Sequence, residues 1–344
     1  MRIATGIVDA DLRRAARAAR AAEDAGYDVV LTMENRHDPF LPLAGAAITT
    51  SRVTLATSVA IAFPRSPMVV ANVAHDLQVA SEGRFVLGLG TQVKGHNERR
   101  FSVPWSAPAP RLEEYVQALR AIWACWRDGG PLEFQGEHYR FTLMPPNFRP
   151  PAEGVAPIPV TIAAVGAAML RLAGRRCDGV RLHPFCTRRY LETVVLPELG
   201  KGLARAGRPR ERFEVSGGGF LCTGPDEESV ARAVEWVRYR VAFYGSTRTY
   251  FPVWEAHGLE DLGHRLHRLS VEGAWDRLAG CISDDVLRLF AAVGTHDVIA
   301  GEVAARYGGL VDVVNETQPT DTGPGLPPDL LQDLRAIPCP FAGF

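Results

Sequence analysis

From Ile3 to Val8 the chain is apolar and partly β-branched; Asp9 and Asp11 follow as capping candidates, and from Leu12 the apolar positions change period. Leu12, Ala15, Ala16, Ala19 and Ala22 recur three and four apart, the arginines fall mostly on the other side, and Gly26 stands where a helix C-terminus wants a left-handed residue. Tyr27 to Met33 then runs without polar alternation at its centre, as a strand buried on both faces does. The opening is therefore strand, helix, strand.

The pattern recurs without sequence identity. Val53 to Ala62 predicts a third strand, Ser66 and Pro67 the start of a helix over Met68 to Ala80, and Phe85 to Leu89 a fourth strand after Gly83. Ile158 to Ala164 and Asp178 to Leu182 predict strands five and six, separated by a helix from about Ala167 to Arg175; a further helix runs to about Arg205. Phe213 to Cys222 reads as strand seven, Pro225 to Phe243 as a long helix, Ser283 to Ala292 and His296 to Arg306 as two more, and Leu310 to Val314 as strand eight. Eight strands alternating with helices give an α/β chain folded as a (β/α)8 TIM barrel over residues 1–317. An open doubly wound sheet is the competing architecture, but no dinucleotide fingerprint follows strand one, and Gly88 and Gly90 lack the third glycine.

A minimal barrel needs about 250 residues, so the chain must carry insertions. They are expected after strand four, at about 91–157, and after strand seven, at about 246–280. The first holds an amphipathic helix with Leu112, Tyr115, Leu119, Ile122, Trp123 and Trp126 on one face and a hairpin around Phe134 to Phe141. Residues 318–344, rich in Pro, Gly and Asp, are expected to form an irregular tail.

Composition removes several function classes. Among 344 residues, 38 are basic and 39 acidic, a net charge of −1, so no broad field holds nucleic acid or an anionic membrane. No apolar run reaches bilayer length and no signal-peptide core precedes the charged stretch Asp11 to Arg20, from which a cytoplasmic location is expected. The six cysteines contain no C-x-x-C pair, which fits reduced thiols rather than a zinc site or disulfide frame. His264 and His267 beside Glu260 and Asp261 read as a solvated helix, and no metal is expected.

In a TIM barrel the working residues stand at the C-terminal ends of the strands. After strand two come Glu34, Asn35, Arg36, His37 and Asp38, where His37 is the first candidate to exchange a proton and Glu34 to orient it or share the proton. Ser58 and Arg65 flank the end of strand three together with Val59 and Phe63. Strand four ends in Gly88-Leu89-Gly90-Thr91-Gln92, small enough to let a planar ligand approach backbone amides. Strand five ends in Ala163-Ala164-Val165-Gly166 and enters a helix whose free amides suit a phosphate. After strand six, Arg181, His183, Pro184 and Phe185 offer a substrate wall.

These stretches, taken in order, resemble the bacterial luciferase-like superfamily, in particular its branch that uses the deazaflavin coenzyme F420. The residues that carry the likeness are Glu34 to Phe40, Leu55 to Val59 with Arg65-Ser66-Pro67, Gly83 to Thr91, Pro159 to Gly166 and Asp178-Gly179-Val180. The resemblance implies an F420-dependent oxidoreductase passing a hydride between deazaflavin and a small or medium organic substrate, by reduction of an activated C=C or C=N bond or oxidation of an alcohol. It implies cofactor contacts at Ser58, Val59, Gly90, Thr91, Gln92, Ala163, Ala164, Val165 and Gly166, substrate contacts at Phe63, Arg65, His183 and Phe185, and a non-prolyl cis peptide at Ser58-Val59. A homodimer is also implied. An FMN-dependent monooxygenase on the same barrel is the alternative enzyme, and a silent ligand-binding barrel or partner subunit the alternative from another class. Two departures bear on chemistry: Asn35, not histidine, follows Glu34, and Val93 stands where some relatives carry glutamate. The lysine that several sugar-phosphate oxidisers keep after strand six is absent as well, which disfavours a phosphorylated substrate.

Overall fold

The computed structural model describes residues 1–7, 11–316 and 325–344. Eight parallel strands close a barrel: β1 (Arg2–Ile7), β2 (Val29–Thr32), β3 (Thr54–Thr57), β4 (Phe85–Gly90), β5 (Val160–Ala164), β6 (Gly179–Leu182), β7 (Glu214–Gly217) and β8 (Val313–Asn315). Each pairs with the next in sequence, and β8 returns to β1 through Arg2↔Val313 and Ala4↔Asn315. All eight fall where the hydrophobic runs place them. Val8 and Asp9, part of the expected first strand and cap, lie outside the described residues; Asp11 caps the helix Leu12–Ala25 by accepting from the Arg13 N–H at 2.9 Å.

Alternating strand residues divide the apolar surface into two cores. Ile3, Val30, Leu55, Leu87, Ile162 and Val180 point outward into the large core beneath the helices. Ala4, Val29, Leu31, Ala56, Val86 and Val313 form a small apolar cluster inside the barrel. The other side of the interior is polar, because β5, β6 and β7 turn Thr161, Arg181, Glu214 and Ser216 inward, all of them buried.

The first insertion contains the expected helix, Pro108–Asp128, and the expected hairpin, Phe134–Gln135 with Arg140–Phe141. Leu112, Tyr115, Leu119, Ile122 and Trp126 are buried against the helix Pro67–Ala80 and its surroundings, so this face is covered within one chain and is not left for a second copy. The second insertion folds into the helices Phe251–Glu255 and Glu260–Val271.

Five features depart from the sequence reading. The third strand breaks at Ser58-Val59 and resumes as Ala60–Ile61. A helix, Leu41–Thr49, fills the β2–β3 connection; its apolar stretch shows little amphipathic period because the exposed positions Leu41 and Ile48 are as apolar as the buried Leu43, Ala46 and Ala47. The expected seventh strand is interrupted by Gly217, Gly218 and Gly219, all at positive φ; Phe220–Gly224 then pairs in parallel with Ala291–Thr295. The sequence reading ends a helix at Ala292 and begins another at His296, leaving no strand between them, but the helices are Asp284–Phe290 and Ile299–Tyr307. Finally, the tail is not wholly irregular: Pro328–Ala336 is a helix whose Leu330, Leu331 and Leu334 are buried beside β1.

Candidate functional site

A cavity of about 1230 Å³ opens at the C-terminal ends of the strands. Its floor and walls come from Gly6 and Ile7 at the end of β1, Glu34 after β2, Ser58 and Val59 beyond β3, Thr91 and Gln92 after β4, Ala163 to Gly166 at the end of β5, Arg181 and Leu182 on β6 with His183 just beyond it, and Glu316 after β8. Trp105 and Trp236, with Arg240, Tyr244 and Tyr250, close the sides.

The bulge beyond β3 is built by a cis peptide, hydrogen bonds, an ion pair and two glycines. The Ser58-Val59 peptide is cis, as the resemblance implies for that position. The Ser58 N–H donates to the Thr32 carbonyl at 2.7 Å, and Glu34 accepts from the Ile61 N–H at 2.7 Å. Glu34 also receives Nη1 of Arg65, at 2.9 and 2.7 Å to its two oxygens, while Nη2 of Arg65 reaches Asp38 at 2.9 Å. Two glycines make room behind it: a Cβ on Gly88 would sit 1.9 Å from the Thr57 carbonyl oxygen, and one on Gly90 would sit 2.5 Å from Cγ2 of Val59. Val59 therefore packs against Gly90 on one side and lines the cavity on the other.

Opposite the bulge, the helix Ala167–Arg176 begins at Gly166 with no side-chain cap. Gly166, Ala167 and Ala168 line the cavity, so first-turn N–H groups that the helix cannot satisfy itself are available to a ligand. This is the helix start that the sequence reading places at the end of strand five.

His183 stands between Tyr244 and Tyr250, with ring centroids 4.3 and 4.6 Å away. Burial pushes its pKa down to about 4, and Nδ1 accepts the Phe185 N–H at 3.0 Å. The imidazole is therefore neutral and, with Nδ1 occupied as an acceptor, carries its proton on Nε2. Glu316 accepts the Tyr27 hydroxyl on Oε2 at 2.7 Å, its Oε1 has no hydrogen-bond partner among the described residues, and burial raises its pKa. It lines the cavity wall, and its burial favours the protonated form.

Of the residues singled out in the sequence, Glu34, Ser58, Val59, Thr91, Gln92, Ala163, Ala164, Val165, Gly166 and His183 meet at the cavity. Gly90 lies just behind it, making space for Val59. Four others do not reach it. His37 is exposed and does not line the cavity, because the turn after β2 carries it past the rim. Phe63 is buried beneath the Arg111 guanidinium, 4.4 Å from its ring. Arg65 is spent on Glu34 and Asp38, behind the bulge. Phe185 packs against Trp254 and Phe290 at 5.0 and 4.5 Å, in the core.

The sequence reading missed Trp236, Arg240 and Tyr244. They are four residues apart on the helix Glu227–Gly245, one stripe beside its buried face, and Arg240 stacks over Trp236 at 4.2 Å. That spacing was a readable signal, but nothing in it says that the stripe meets the barrel mouth.

Comparison with known proteins places this geometry. A family model described as luciferase-like monooxygenase matches residues 2–312. An uncharacterised protein of Mycobacterium tuberculosis is 50% identical over 310 residues, 90% of this chain and 91% of that one. A putative coenzyme F420-dependent oxidoreductase of the same organism is 30% identical over 304 residues, covering 83% of this chain and 84% of its own. Among solved structures, the coenzyme F420-dependent tetrahydromethanopterin reductase of Methanopyrus kandleri aligns with a TM-score of 0.76 at 19% identity, over 98% of both chains.

Proposed function

The chain belongs to the luciferase-like monooxygenase family, and from that premise we propose that it is an F420-dependent oxidoreductase acting on an organic substrate held in the barrel mouth. The observation that carries this reading is the pairing, across one cavity, of the Val59 platform with the uncapped start of the helix Ala167–Arg176. A planar ring system needs a flat apolar backing, and its phosphate-bearing side arm needs unsatisfied N–H donors; the two features supply one each. A relative 30% identical is named as a putative F420-dependent oxidoreductase, which supports the deazaflavin over FMN.

The residues present fit such a group. Ser58, Val59, Thr91, Gln92 and Ala163 would hold the ring, with Gly90 keeping Val59 in place, and the N–H groups of Ala167 and Ala168 would hold the phosphate. When bound, the deazaflavin supplies a carbon that accepts or gives a hydride. The chain's own residues do the rest. His183 donates a hydrogen bond from Nε2 to a substrate oxygen, a task suited to a neutral imidazole. Glu316 takes up or releases the accompanying proton at Oε1, the burial of its carboxyl favouring the protonated form. Tyr244 and Tyr250 exclude water beside His183. Glu34 and Arg65 fix the bulge, and His37 has no part in the proton exchange.

Titration of the purified protein with F420, followed by quenching of cofactor fluorescence, tests this. Binding at micromolar concentration is expected. A yellow preparation that binds FMN and consumes oxygen would replace the reading by a flavin monooxygenase, and a protein that binds neither would be the silent barrel.

A further inference from the structure

The barrel interior holds a charge that the hydride chemistry does not use. Arg2, Glu214 and Arg181 form a column along the inner faces of β1, β7 and β6. Nη1 of Arg2 donates to Glu214 Oε2 at 3.1 Å, Nη2 of Arg2 donates to Thr54 Oγ1 at 2.6 Å, and Glu214 Oε1 lies 3.2 Å from Nη1 of Arg181. The last contact is ionic only, since no hydrogen bond is directed at that oxygen. Side-chain exposure is 28% for Arg2, 1% for Glu214 and 5% for Arg181, so the column is wet at its lower end and dry at its upper.

Two guanidinium groups against one carboxylate leave an excess positive charge, and its place is the upper end. Arg2 is bonded to Glu214 and Thr54 and reaches solvent. Arg181 instead lines the cavity floor. Its Nε donates to Thr161 Oγ1 at 3.2 Å and its Nη1 to Ser216 Oγ at 2.8 Å, which locks the plane of the fork, while Nη2 donates to no described residue. The other carboxyls of the wall are engaged elsewhere: Glu34 with Arg65 and the Ile61 N–H, Glu316 with Tyr27. An uncompensated charge is expensive to bury, and its natural counterion is one that arrives with the ligand.

We propose that Arg181 is the receptor for a carboxylate of the substrate, so that the molecule transformed in this barrel is an organic acid. One guanidinium nitrogen with no acceptor among the described residues and one excess charge match a monoanion, whereas a phosphate dianion would bring a second charge into the interior unpaired. The rings of His183, Tyr244 and Tyr250 match an unsaturated or aromatic body for that acid. What is done to the acid rests on the oxidoreductase reading; its capture by Arg181 does not.

The test is calorimetric titration of the full chain with cinnamate and, separately, with its neutral isostere cinnamamide, with and without saturating F420. The wild type is expected to bind the acid at least about tenfold more tightly than the amide. Arg181→Gln should abolish that preference, Arg181→Lys should keep part of it, and Arg240→Gln, which alters the cation at the rim, should leave it intact. Should Arg181→Gln fail to fold because Glu214 is stranded, the double variant Arg181→Gln, Glu214→Gln removes both charges and serves in its place. Equal affinity for acid and amide, no binding of cinnamate below millimolar concentration, a preference that survives Arg181→Gln, or one that vanishes with Arg240→Gln overturns the proposal. Loss of F420 binding with the acid preference intact defeats only the oxidoreductase reading, and F420 binding without the preference defeats only this one.

Discussion

The Glu34 carboxylate lies 2.7 Å from Nη1 of Arg65 and 2.7 Å from the Ile61 N–H, joining the end of β2 to the far side of the bulge that displays Val59. Glu34 has a side-chain exposure of 7% and Arg65 one of 20%, so the pair is shielded enough for its loss to matter. An acid that the sequence ranks among proton carriers is thus a strut. Glu34→Gln leaves Arg65 with Asp38 alone; the expected cost is about 2 to 3 kcal/mol in urea unfolding, with weaker F420 binding and an unshifted pH–rate profile. Wild-type stability combined with a displaced profile would return Glu34 to the chemistry.

Gly90 tests the platform itself. Gly90→Ala places a methyl group about where Cγ2 of Val59 now packs, and Val59 can yield only toward the cavity. The expected result is a fold that survives with about 1 to 3 kcal/mol of overpacking strain and a loss of F420 affinity that exceeds any loss of stability. Unchanged affinity in a folded variant would show that the ring does not rest on Val59.

His37 provides the contrasting case. It is exposed and outside the cavity lining, so His37→Ala should leave cofactor binding and turnover within about twofold of wild type, as surface substitutions away from packed features do. A collapse of turnover with binding preserved would place His37 at the reacting atoms after all, through a movement of the β2 turn.

Most of the barrel was legible in the sequence because a strand buried on both faces and a helix buried on one leave different hydrophobic periods, and β1 to β8 each carry theirs. What escaped notice lacked that contrast. The helix Leu41–Thr49 is apolar nearly all round, the strand Ala291–Thr295 continues directly from a helix, and the Gly217-Gly218-Gly219 interruption hides within one apolar run. The site divides along the same line. Main-chain features such as the two glycines and the helix start at Gly166 follow from local sequence, the bulge follows only from the family resemblance, and the structure brings them together. Side-chain roles do not: whether Glu34 faces a substrate or Arg65, and whether Phe185 faces the cavity or Trp254, depends on residues about thirty or seventy positions away. Arg240 and Tyr244 come from an element that sequence alone could not orient toward the mouth.

Glu23 contributes to stability in a way that fails in acid. Its carboxylate is buried, which raises its pKa, but the N–H groups of Val53, Arg52 and Ser51 all point at it and outweigh the burial, bringing the value down to about 2. Because the folded value lies below the unfolded one, the stabilisation is complete above the unfolded carboxylate's pKa of 4.5 and is lost as pH falls from there toward 2. Glu23→Gln should therefore cost about 1 to 3 kcal/mol in urea unfolding at pH 7, with the gap to wild type narrowing below pH 4.5. A gap independent of pH would assign the loss to packing instead.

His183 makes the sharpest demand on the proposed chemistry. Its pKa is depressed from 6.5 to about 4 by burial, so the folded protein keeps it neutral while the unfolded chain takes up a proton below pH 6.5. Its contribution to stability is thus complete above that value and declines as pH falls through the window down to about 4. Activity should follow the folded value instead: in a Glu316→Gln background, which removes the other titrating group of the wall, the residual kcat/KM that depends on a neutral Nε2–H donor stays level from pH 7 to about 5 and falls only as the imidazole gains its second proton. Replacement separates donor from bulk. His183→Ala should lower kcat/KM by about 10²-fold or more with F420 binding nearly unchanged, and His183→Gln, whose amide can still donate, should recover part of the loss and be free of that acid limb. A profile that breaks near 6.5 would mean that His183 titrates as an exposed histidine and does not sit between Tyr244 and Tyr250 in solution, and a fully active His183→Ala would leave the substrate oxygen to another donor.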